Sequence, residues 1–454
     1  MVSAQPTQLP KIEDAIVIKK ESATSYVKPE GDDLEGSTVG RTDFTEAEQR
    51  AILRKIDFRL LPVLGAMYAI SLMDRTNLGL AAVAGMNEDL NLTGNRYTII
   101  IMVFFVMYIT FEIPSNLMLP KAGPANWLAF LGVAFGSIMI GMGFTKSFES
   151  MAVCRALLGI TEAGFLPGCT FLISCWYKRL GLFWILSVLV SGFAAVFAYV
   201  LTLLKGKQGL NGWRWIFIIE GAITVVICII GWFLVVDFPG KAKFLTPEER
   251  KYAIERINDD RGDAEQDEIT IRVILHHLTD PKLYAFSFML MSSTLPGYAY
   301  SYFLPIILKG SLGYSTSMSQ LMSAPPYVVA AILTYTSSWI ADRFQIRGPV
   351  IAFHQAMTFT VLSYQANNIT SHSKRAVAAG TCLMGGGLGG IIASVSFRSE
   401  DSPGYITGVY TTLGMSLASI TTIAVLMLWF RHCNNQARAG TRRINGLENW
   451  YYTY

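Results

Sequence analysis

The sequence predicts an all-α integral membrane protein. Of its 454 residues, 52% are hydrophobic and 15% are charged, and the mean hydropathy is +0.39. This is more apolar surface than one soluble core of this size uses. Apolar windows of about 20 residues, the length at which a helix crosses a bilayer, recur along most of the chain. They cover residues 60–82, 97–119, 126–143, 150–176, 182–204, 214–236, 282–308, 321–341, 349–366, 376–397 and 407–430.

The charged residues lie mainly in the predicted loops. A net charge of +4 is mild and gives no reason to expect a nucleic-acid partner. Basic residues flank the first and last windows, in "RKIDFR" and "RHCNNQARAGTRR". Because basic loops stay on the cytosolic side of a membrane, we expect both termini in the cytosol.

Composition divides the chain into five parts. Residues 1–50 are polar, lack an apolar signal segment and are expected to form a disordered cytosolic tail. Residues 51–237 hold six windows and form the first helical bundle, whereas residues 281–432 form the second. The polar residues 238–280 form a cytosolic linker, and residues 433–454 form a C-terminal cytosolic tail.

The linker contains a helix start signal. In "TPEE", Thr246 is placed to cap the helix, Pro247 lies in its first turn, and Glu249 occupies the capping-box position. The sequence therefore predicts a short amphipathic helix between the two bundles.

Several long motifs resemble one transporter family. They are "KIDFRLLPVLGAMYAISLMDRTNLGLA", "FEIPSNLML", "CRALLGITEAGFLPGCTFLISCWYKR", "GWRWIFIIEG", "ADRFQIRGPVIAF" and "YQANNI". Together with two sets of spans around a linker, they are similar to the fungal anion:cation symporters of the major facilitator superfamily, the allantoate, nicotinate, pantothenate and tartrate type permeases.

The resemblance implies a major facilitator fold with two helical-bundle halves and nominally twelve spans. It also implies alternating access, a plasma-membrane location and proton-coupled uptake of a small organic anion. The expected partners are that anion, protons and the lipid bilayer. We expect a monomer without a cofactor.

Asp74 and Arg75 lie deep in the first window. A charged side chain at the bilayer centre costs roughly 2.5 to 3.5 kcal/mol, so both are expected to face the bundle or a wet cavity. One alternative is a neutralised structural pair. Adjacent helical residues point about 100° apart, however, which favours separate partners. The family resemblance implies that Arg75 contacts the substrate carboxylate and that Asp74 takes part in proton coupling.

The fourth window repeats this pattern with Arg155 and Glu162. They are two helical turns apart and therefore share a face. The resemblance assigns Glu162 as proton acceptor and Arg155 as its regulating cation, although Arg155 could instead be an interface residue near the outer leaflet. Glu112 is a further acid, but Pro114 just after it suggests a position near the cytosolic end of the second span, so we expect Glu112 to be structural.

Polar candidates also occur in the second bundle. Tyr298 and Tyr302 are four residues apart and share a helix face, so one of them is expected to line the cavity, with interfacial anchoring as the alternative. In "YQANN", Gln365 and Asn367 are polar for a span and resemble a family segment near the tenth helix. We expect substrate contacts from these four residues.

Other classes of protein lack their signatures. The sequence has no G-x-x-x-x-G-K-[ST] loop for an ATP-driven pump, and only His276 and His277 are adjacent among its five histidines. We therefore expect no enzyme and no metal site. The glycines of "MGGGLGG" are interpreted as close helix packing through Gly386 and Gly390.

One interval is too short for the nominal topology. The basic pairs Arg343/Arg347 and Lys374/Arg375 are both expected on the cytosolic side, so an even number of crossings must lie between them. Only about 20 residues separate the two pairs, half of what two crossings need. The span 9–10 region is thus apparently truncated, leaving about ten to eleven spans. A lost exon, a truncated paralogue or a single inverting span would each explain it. Two alternative functions remain open. The protein could be an exporter of an acidic metabolite, or it could be a transport-deficient paralogue.

Overall fold

Helices make up the regular structure of the described part of the chain. The computed structural model describes residues 44–176, 193–236, 238–242, 244–261, 271–330, 372–398 and 404–441, with isolated positions elsewhere. Most of the predicted N-terminal tail and most of the short interval between the two basic pairs lie outside these ranges.

The part of the chain before the linker contains seven described helices. They are α1 (Glu46–Ala81), α2 (Arg96–Ala122), α3 (Pro124–Met142), α4 (Phe148–Glu162), α5 (Phe165–Trp176), α6 (Phe193–Thr202) and α7 (Gly212–Leu234). Within this part, α3 packs against α7 and α4, α2 packs against α4, and α1 packs against α7.

Six α-helices of the linker and the second bundle have defined bounds. They are α8 (Pro247–Arg261), α9 (Ile271–His277), α10 (Pro281–Gly310), α11 (Thr316–Leu321), α12 (His372–Ser396) and α13 (Ile406–Arg438). The two bundles meet where α12 packs against α2 and where α10 packs against α1. Two helices extend past the predicted boundaries, because α1 begins before residue 51 and α13 continues beyond residue 432.

Within the described residues, seven helices are long and apolar enough to cross a membrane. They match the first four predicted windows, the sixth window and the last two windows. The window at 282–308 is also helical, as α10. The prediction of an all-α membrane protein is therefore confirmed.

The fourth predicted span is broken in the middle. It divides into α4 and α5 after Glu162, and Pro167 lies in the first turn of α5, where its missing N–H costs little. Gly164, in the break, lies directly against the Ser115 side chain of α2, where a Cβ would have no room. The break therefore places Glu162 at the end of a helix that is pressed against its neighbour.

Pro114 lies inside α2, and the span Arg96–Leu119 agrees with the predicted window at 97–119. The helix continues through Pro114 to Ala122, so Glu112 lies within the helix and not at its end. A proline inside a helix costs about 3 kcal/mol, and the packing of α2 against α4 and α12 offsets that cost.

The glycine pair that brings α12 close to α10 is shifted by one residue from the expected one. A Cβ on Gly385 or Gly389 would collide with the backbone of α10, whereas a Cβ on Gly386 would meet side chains at ordinary distance. Gly390 faces an aromatic ring of α2. Close packing is thus present, but Gly386 and Gly390 are not the pair that makes it with α10.

A π-helical turn, Ala82–Met86, follows α1 and contacts the second bundle. Lys309 donates a hydrogen bond from Nζ to the Val83 carbonyl oxygen at 2.9 Å, and Gln320 donates from Nε2 to the Leu80 carbonyl oxygen at 3.2 Å. A π-helical turn changes the register of backbone hydrogen bonds and so exposes carbonyl groups. The two bundles are therefore joined at this end through the backbone of α1.

The predicted linker helix is α8, and its capping box is confirmed. Thr246 N donates to Glu249 Oε2 at 3.0 Å, and Glu249 N donates to Thr246 Oγ1 at 3.2 Å. Lys55 of α1 reaches Glu249 Oε1 at 2.6 Å. The hydrogen bond from Lys55 lowers the pKa of Glu249, outweighing the effect of burial. The linker is thus tied to α1 by a charge pair.

The C-terminal segment packs on the second bundle. Tyr452 accepts a hydrogen bond from Lys282 Nζ at 3.0 Å, and its ring stacks on Phe430 with 4.2 Å between centroids. Asn434 exchanges two hydrogen bonds with the Tyr452 backbone. This part of the predicted tail is therefore attached to the helices.

We predict that Glu249→Gln loosens the linker. A carboxyl with a lowered pKa stabilises the fold above its ordinary pKa, and this contribution is lost as pH falls through the lowered pKa. Limited proteolysis should therefore cut the linker of the variant faster at neutral pH, with the difference shrinking in acid. Glu248→Gln, at an exposed neighbour, is the control, and equal rates for both variants would contradict the prediction.

Candidate functional site

Arg75 of α1 forms a buried ion pair with Glu162. Arg75 Nε lies 2.5 Å from Glu162 Oε1, and Arg75 Nη1 donates to Tyr298 Oη at 2.9 Å. Arg75 is 8% exposed and Glu162 is 1% exposed. The pair thus connects the first span, the break after α4 and the first helix of the second bundle.

The other contacts of this pair leave one donor of Arg75 unused. Ser71, one turn before Arg75 on α1, donates to Glu162 Oε1 at 3.0 Å. The guanidinium carbon of Arg75 lies 5.0 Å from the centroid of the Tyr108 ring. Arg75 Nη2 is buried and has no hydrogen-bond partner among the described residues. The guanidinium can therefore donate a hydrogen bond to a further anionic oxygen.

Asp74 points away from Arg75, as its position on the helix predicts. Its Oδ2 lies 3.5 Å from Thr224 Oγ1 of α7, and its Oδ1 has no partner in the described part of the chain. The ion pairs of the described residues do not include one between Asp74 and Arg75. The separate partners expected from the sequence are confirmed.

Arg155 is buried in the bundle together with Glu162. It is 2% exposed, and its guanidinium lies 5.9 Å from the centroid of the Phe104 ring. Its Nε and Nη2 atoms make no hydrogen bond to described residues, although its charge attracts Asp74 and Glu162. Arg155 is thus a buried cation close to both acids.

Both predicted tyrosines lie at the site. The rings of Tyr298 and Tyr302 stack with 6.1 Å between centroids, and Phe105 of α2 contacts both rings edge-on. Tyr298 binds Arg75 directly, whereas Tyr302 is fully buried and interacts electrostatically with Arg155. The α10 face thus supplies a hydroxyl to Arg75 and places a second tyrosine within electrostatic range of Arg155.

The remaining two candidates are not brought to this cluster by a described contact. Gln365 is helical and buried, and its side chain forms no hydrogen bond to Arg75 or Glu162 in the described part. Asn367 lies outside the described residues.

Two further acids are buried in the described part, and only Glu112 of these was considered from the sequence. Glu112 and Glu220 are both 0% exposed. Neither carboxylate oxygen of Glu112 has a hydrogen-bond partner among the described residues, whereas Glu220 Oε2 accepts from Asn77 Nδ2. Glu220 interrupts the apolar run of α7, the same signal that identified Glu162, so this criterion could have found it.

Acids outnumber bases in the described interior of the bundle. Its buried carboxyl groups are those of Asp74, Glu112, Glu162 and Glu220, and its buried guanidinium groups are those of Arg75 and Arg155. An uncompensated charge in a bundle surrounded by lipid is costly, so the surplus acids favour binding of protons. The same bundle offers a guanidinium with a spare donor, and it can therefore bind both an anion and protons.

A metal centre has no evident ligands in the described part. No three His, Cys, Asp or Glu side chains come together there in a way that could hold a metal ion. The expectation that the chain needs no cofactor stays a prediction.

A helical membrane bundle with buried charges between two halves is the architecture of a solute transporter. Residues 64–423 match the family described as Major Facilitator Superfamily. The chain belongs to the major facilitator superfamily, and its relatives are transporters and not enzymes.

Similar proteins come from several fungi. The chain is 32% identical to the MFS-type transporter cnsO of Penicillium expansum, with 90% of this chain and 88% of the relative covered. It is 30% identical to an uncharacterized transporter of Schizosaccharomyces pombe, with 88% and 90% covered. It is 27% identical to the major facilitator-type transporter hxnP of Emericella nidulans, again with 88% and 90% covered.

Two solved structures share the fold at low sequence identity. The proton:xylose symporter XylE has a TM-score of 0.61 at 13% identity, with 82% of this chain and 95% of that chain covered. The human organic anion transporter MFSD10 has a TM-score of 0.52 at 13% identity, with 81% and 99% covered. These likenesses describe the fold alone.

We predict that Glu162→Ala destabilises the protein by about 3–5 kcal/mol, because it leaves Arg75 buried without its counter-ion. The double variant Arg75→Met/Glu162→Ala removes both charges and should regain part of that loss. Thermal unfolding in detergent measures both effects. A double variant that is less stable than Glu162→Ala by the full cost of a second independent substitution would contradict this account.

Proposed function

We propose that the chain imports a small organic anion together with protons across the plasma membrane by alternating access. The observation that carries this proposal is the buried Arg75, which is held by one carboxylate and one tyrosine hydroxyl and has a spare donor. A carboxylate or vitamin-like acid is the proposed class of substrate.

The anion binds at Arg75 in this proposal. Guanidinium groups bind carboxylates through paired hydrogen bonds, and Nη2 is unused in the described structure. The substrate carboxylate takes the place of Glu162 on Arg75 and keeps the nearby hydroxyl of Tyr298. Tyr302, Gln365 and Asn367 are proposed to contact the rest of the substrate.

A proton on Glu162 releases Arg75 for the anion. A proton on this carboxylate removes the negative charge on which its attraction to Arg75 depends. Arg155 remains as a second buried cation near the acids, and Arg155 and Asp74 are proposed to take part in proton coupling. Anion and proton therefore enter the site together.

Import follows from the direction of the driving forces. Each net positive charge that enters gains about 2.3 kcal/mol per 100 mV of membrane potential. Each proton gains about 1.4 kcal/mol per pH unit. A monomer with both termini in the cytosol is proposed. Export of an acidic metabolite is the alternative, and accumulation of labelled anion inside deletion cells would favour it.

We predict that Arg75→Ala weakens anion binding about 30-fold or more, since truncating one partner of a buried charge pair costs about 2 kcal/mol or more. Glu162→Gln should spare exchange of labelled anion but block its accumulation by a pH gradient. Binding and uptake of labelled nicotinate, pantothenate and tartrate by reconstituted protein provide the measurement. Lys309→Met, at the bundle contact away from Arg75, is the control for binding. Accumulation by Glu162→Gln equal to wild type would rule out the proton assignment.

A transport-deficient paralogue is the second candidate, and one observation favours it. The alignment with the Penicillium expansum transporter spans 461 positions, more than the 454 residues of this chain, so the relative has residues without a counterpart here. This agrees with the short interval between the basic pairs.

We predict that transcripts carry roughly forty additional apolar codons between Gly348 and Tyr364, enough for two crossings. Sequencing the messenger RNA across this interval measures it. If every transcript encodes the short form, the transport-deficient paralogue becomes the better proposal.

A further inference from the structure

A polar contact joins α1 to α7 on the side of α1 that faces away from Arg75. Asp74 and Asn77 are one turn apart on α1, and Glu220 and Thr224 are one turn apart on α7. Asn77 Nδ2 donates to Glu220 Oε2, and Thr224 Oγ1 lies 3.5 Å from Asp74 Oδ2. We call these four residues the α1–α7 ladder.

The donors in the ladder are distributed unequally between its two acids. Thr224 has one hydroxyl hydrogen, and its oxygen lies 2.9 Å from the Glu220 carbonyl oxygen, closer than to Asp74. The hydrogen therefore goes to the Glu220 backbone, and Thr224 Oγ1 is left as an acceptor toward Asp74. Glu220 retains the Asn77 amide as a donor to its carboxylate. This pattern suits a protonated Asp74 and an ionised Glu220.

The charges around the ladder support the same assignment. Asp74 Oδ1 and Glu220 Oε1 are buried and have no hydrogen-bond partner among the described residues. The two acids repel each other when both are ionised. Glu162 and Arg155 of α4 also act on Asp74, with opposite signs, and Cys228 of α7 lies within reach of its charge. Two adjacent buried carboxylates of like charge disfavour double ionisation.

We infer that Asp74 and Glu220 hold one proton between them, carried by Asp74, and that Glu220 is the positioning residue that keeps it there. The charged carboxylate of Glu220 makes removal of the Asp74 proton harder. Glu220 thereby sets the acidity at which this proton leaves. The use of that proton in coupling rests on the proposed function, whereas its presence does not.

The experiment is infrared spectroscopy of the purified full chain, titrated from acid to alkaline buffer. A protonated buried carboxyl gives a separate C=O stretching band, which Asp74→Asn should remove. In Glu220→Gln, which keeps an oxygen acceptor for Asn77, the band should already be lost at a proton concentration at least tenfold higher than in wild type, so that its midpoint moves toward acid by about one pH unit or more. Glu220→Asp keeps the charge and should stay near wild type.

Asp89→Asn is the matched control. Asp89 also links the end of the first span to the start of α7, where it accepts from Asn211 Nδ2 at 2.5 Å and Trp213 Nε1 at 2.8 Å, but it lies outside the ladder. Its substitution should leave the band and its midpoint unchanged.

Two outcomes would overturn the inference. One is a spectrum from which Asp74→Asn removes no band, because the proton then lies elsewhere. The other is an unchanged midpoint in Glu220→Gln, because Glu220 is then only a structural contact. Failure of the proposed function is recognised separately, as uptake of labelled nicotinate or tartrate by wild type that ignores a proton gradient.

Discussion

The ion pair of Arg75 and Glu162 is the interaction on which the site depends. Burying either charge alone in a bundle surrounded by lipid is costly, so each residue requires the other or a substitute for it. A negatively charged ligand is such a substitute for Glu162, and a proton is such a substitute for Arg75. The pair is therefore closed when Glu162 is charged and no anion is bound, and it can separate when a proton and an anion are present. Its position between α1, the break after α4 and α10 lets this exchange act on both bundles.

The backbone places these side chains by local means. The break between α4 and α5 puts Glu162 at a helix end, and the missing side chain of Gly164 lets that end press against Ser115 of α2. Gly79 of α1 lies against the backbone of α10, so the helix that carries Arg75 approaches the helix that carries Tyr298 closely. Because small residues set both distances, the geometry of the charge cluster depends on positions that carry no charge.

Much of the fold and part of the site could be predicted from the sequence. The length of the apolar windows identified the spans. Charges inside those windows identified Arg75, Arg155 and Glu162, because a charged residue within an apolar run can be recognised from the sequence alone. Glu220 was missed as a candidate although it meets the same criterion as Glu162. Partners across helices could not be predicted, because periodicity gives the face of a helix and not its neighbour.

At the π-helical turn after α1, the first bundle contributes backbone groups to the contact and the second bundle contributes side chains. On one side the acceptors are backbone carbonyls of Leu80 and Val83, and on the other side the donors are the side chains of Lys309 and Gln320. Every amino acid carries a carbonyl group, so substitutions at residues 80 and 83 leave the acceptors in place. Changes at the two donors remove these two hydrogen bonds. At this contact, substitutions are therefore tolerated in the first bundle, whereas substitutions in the second bundle affect the hydrogen bonds directly.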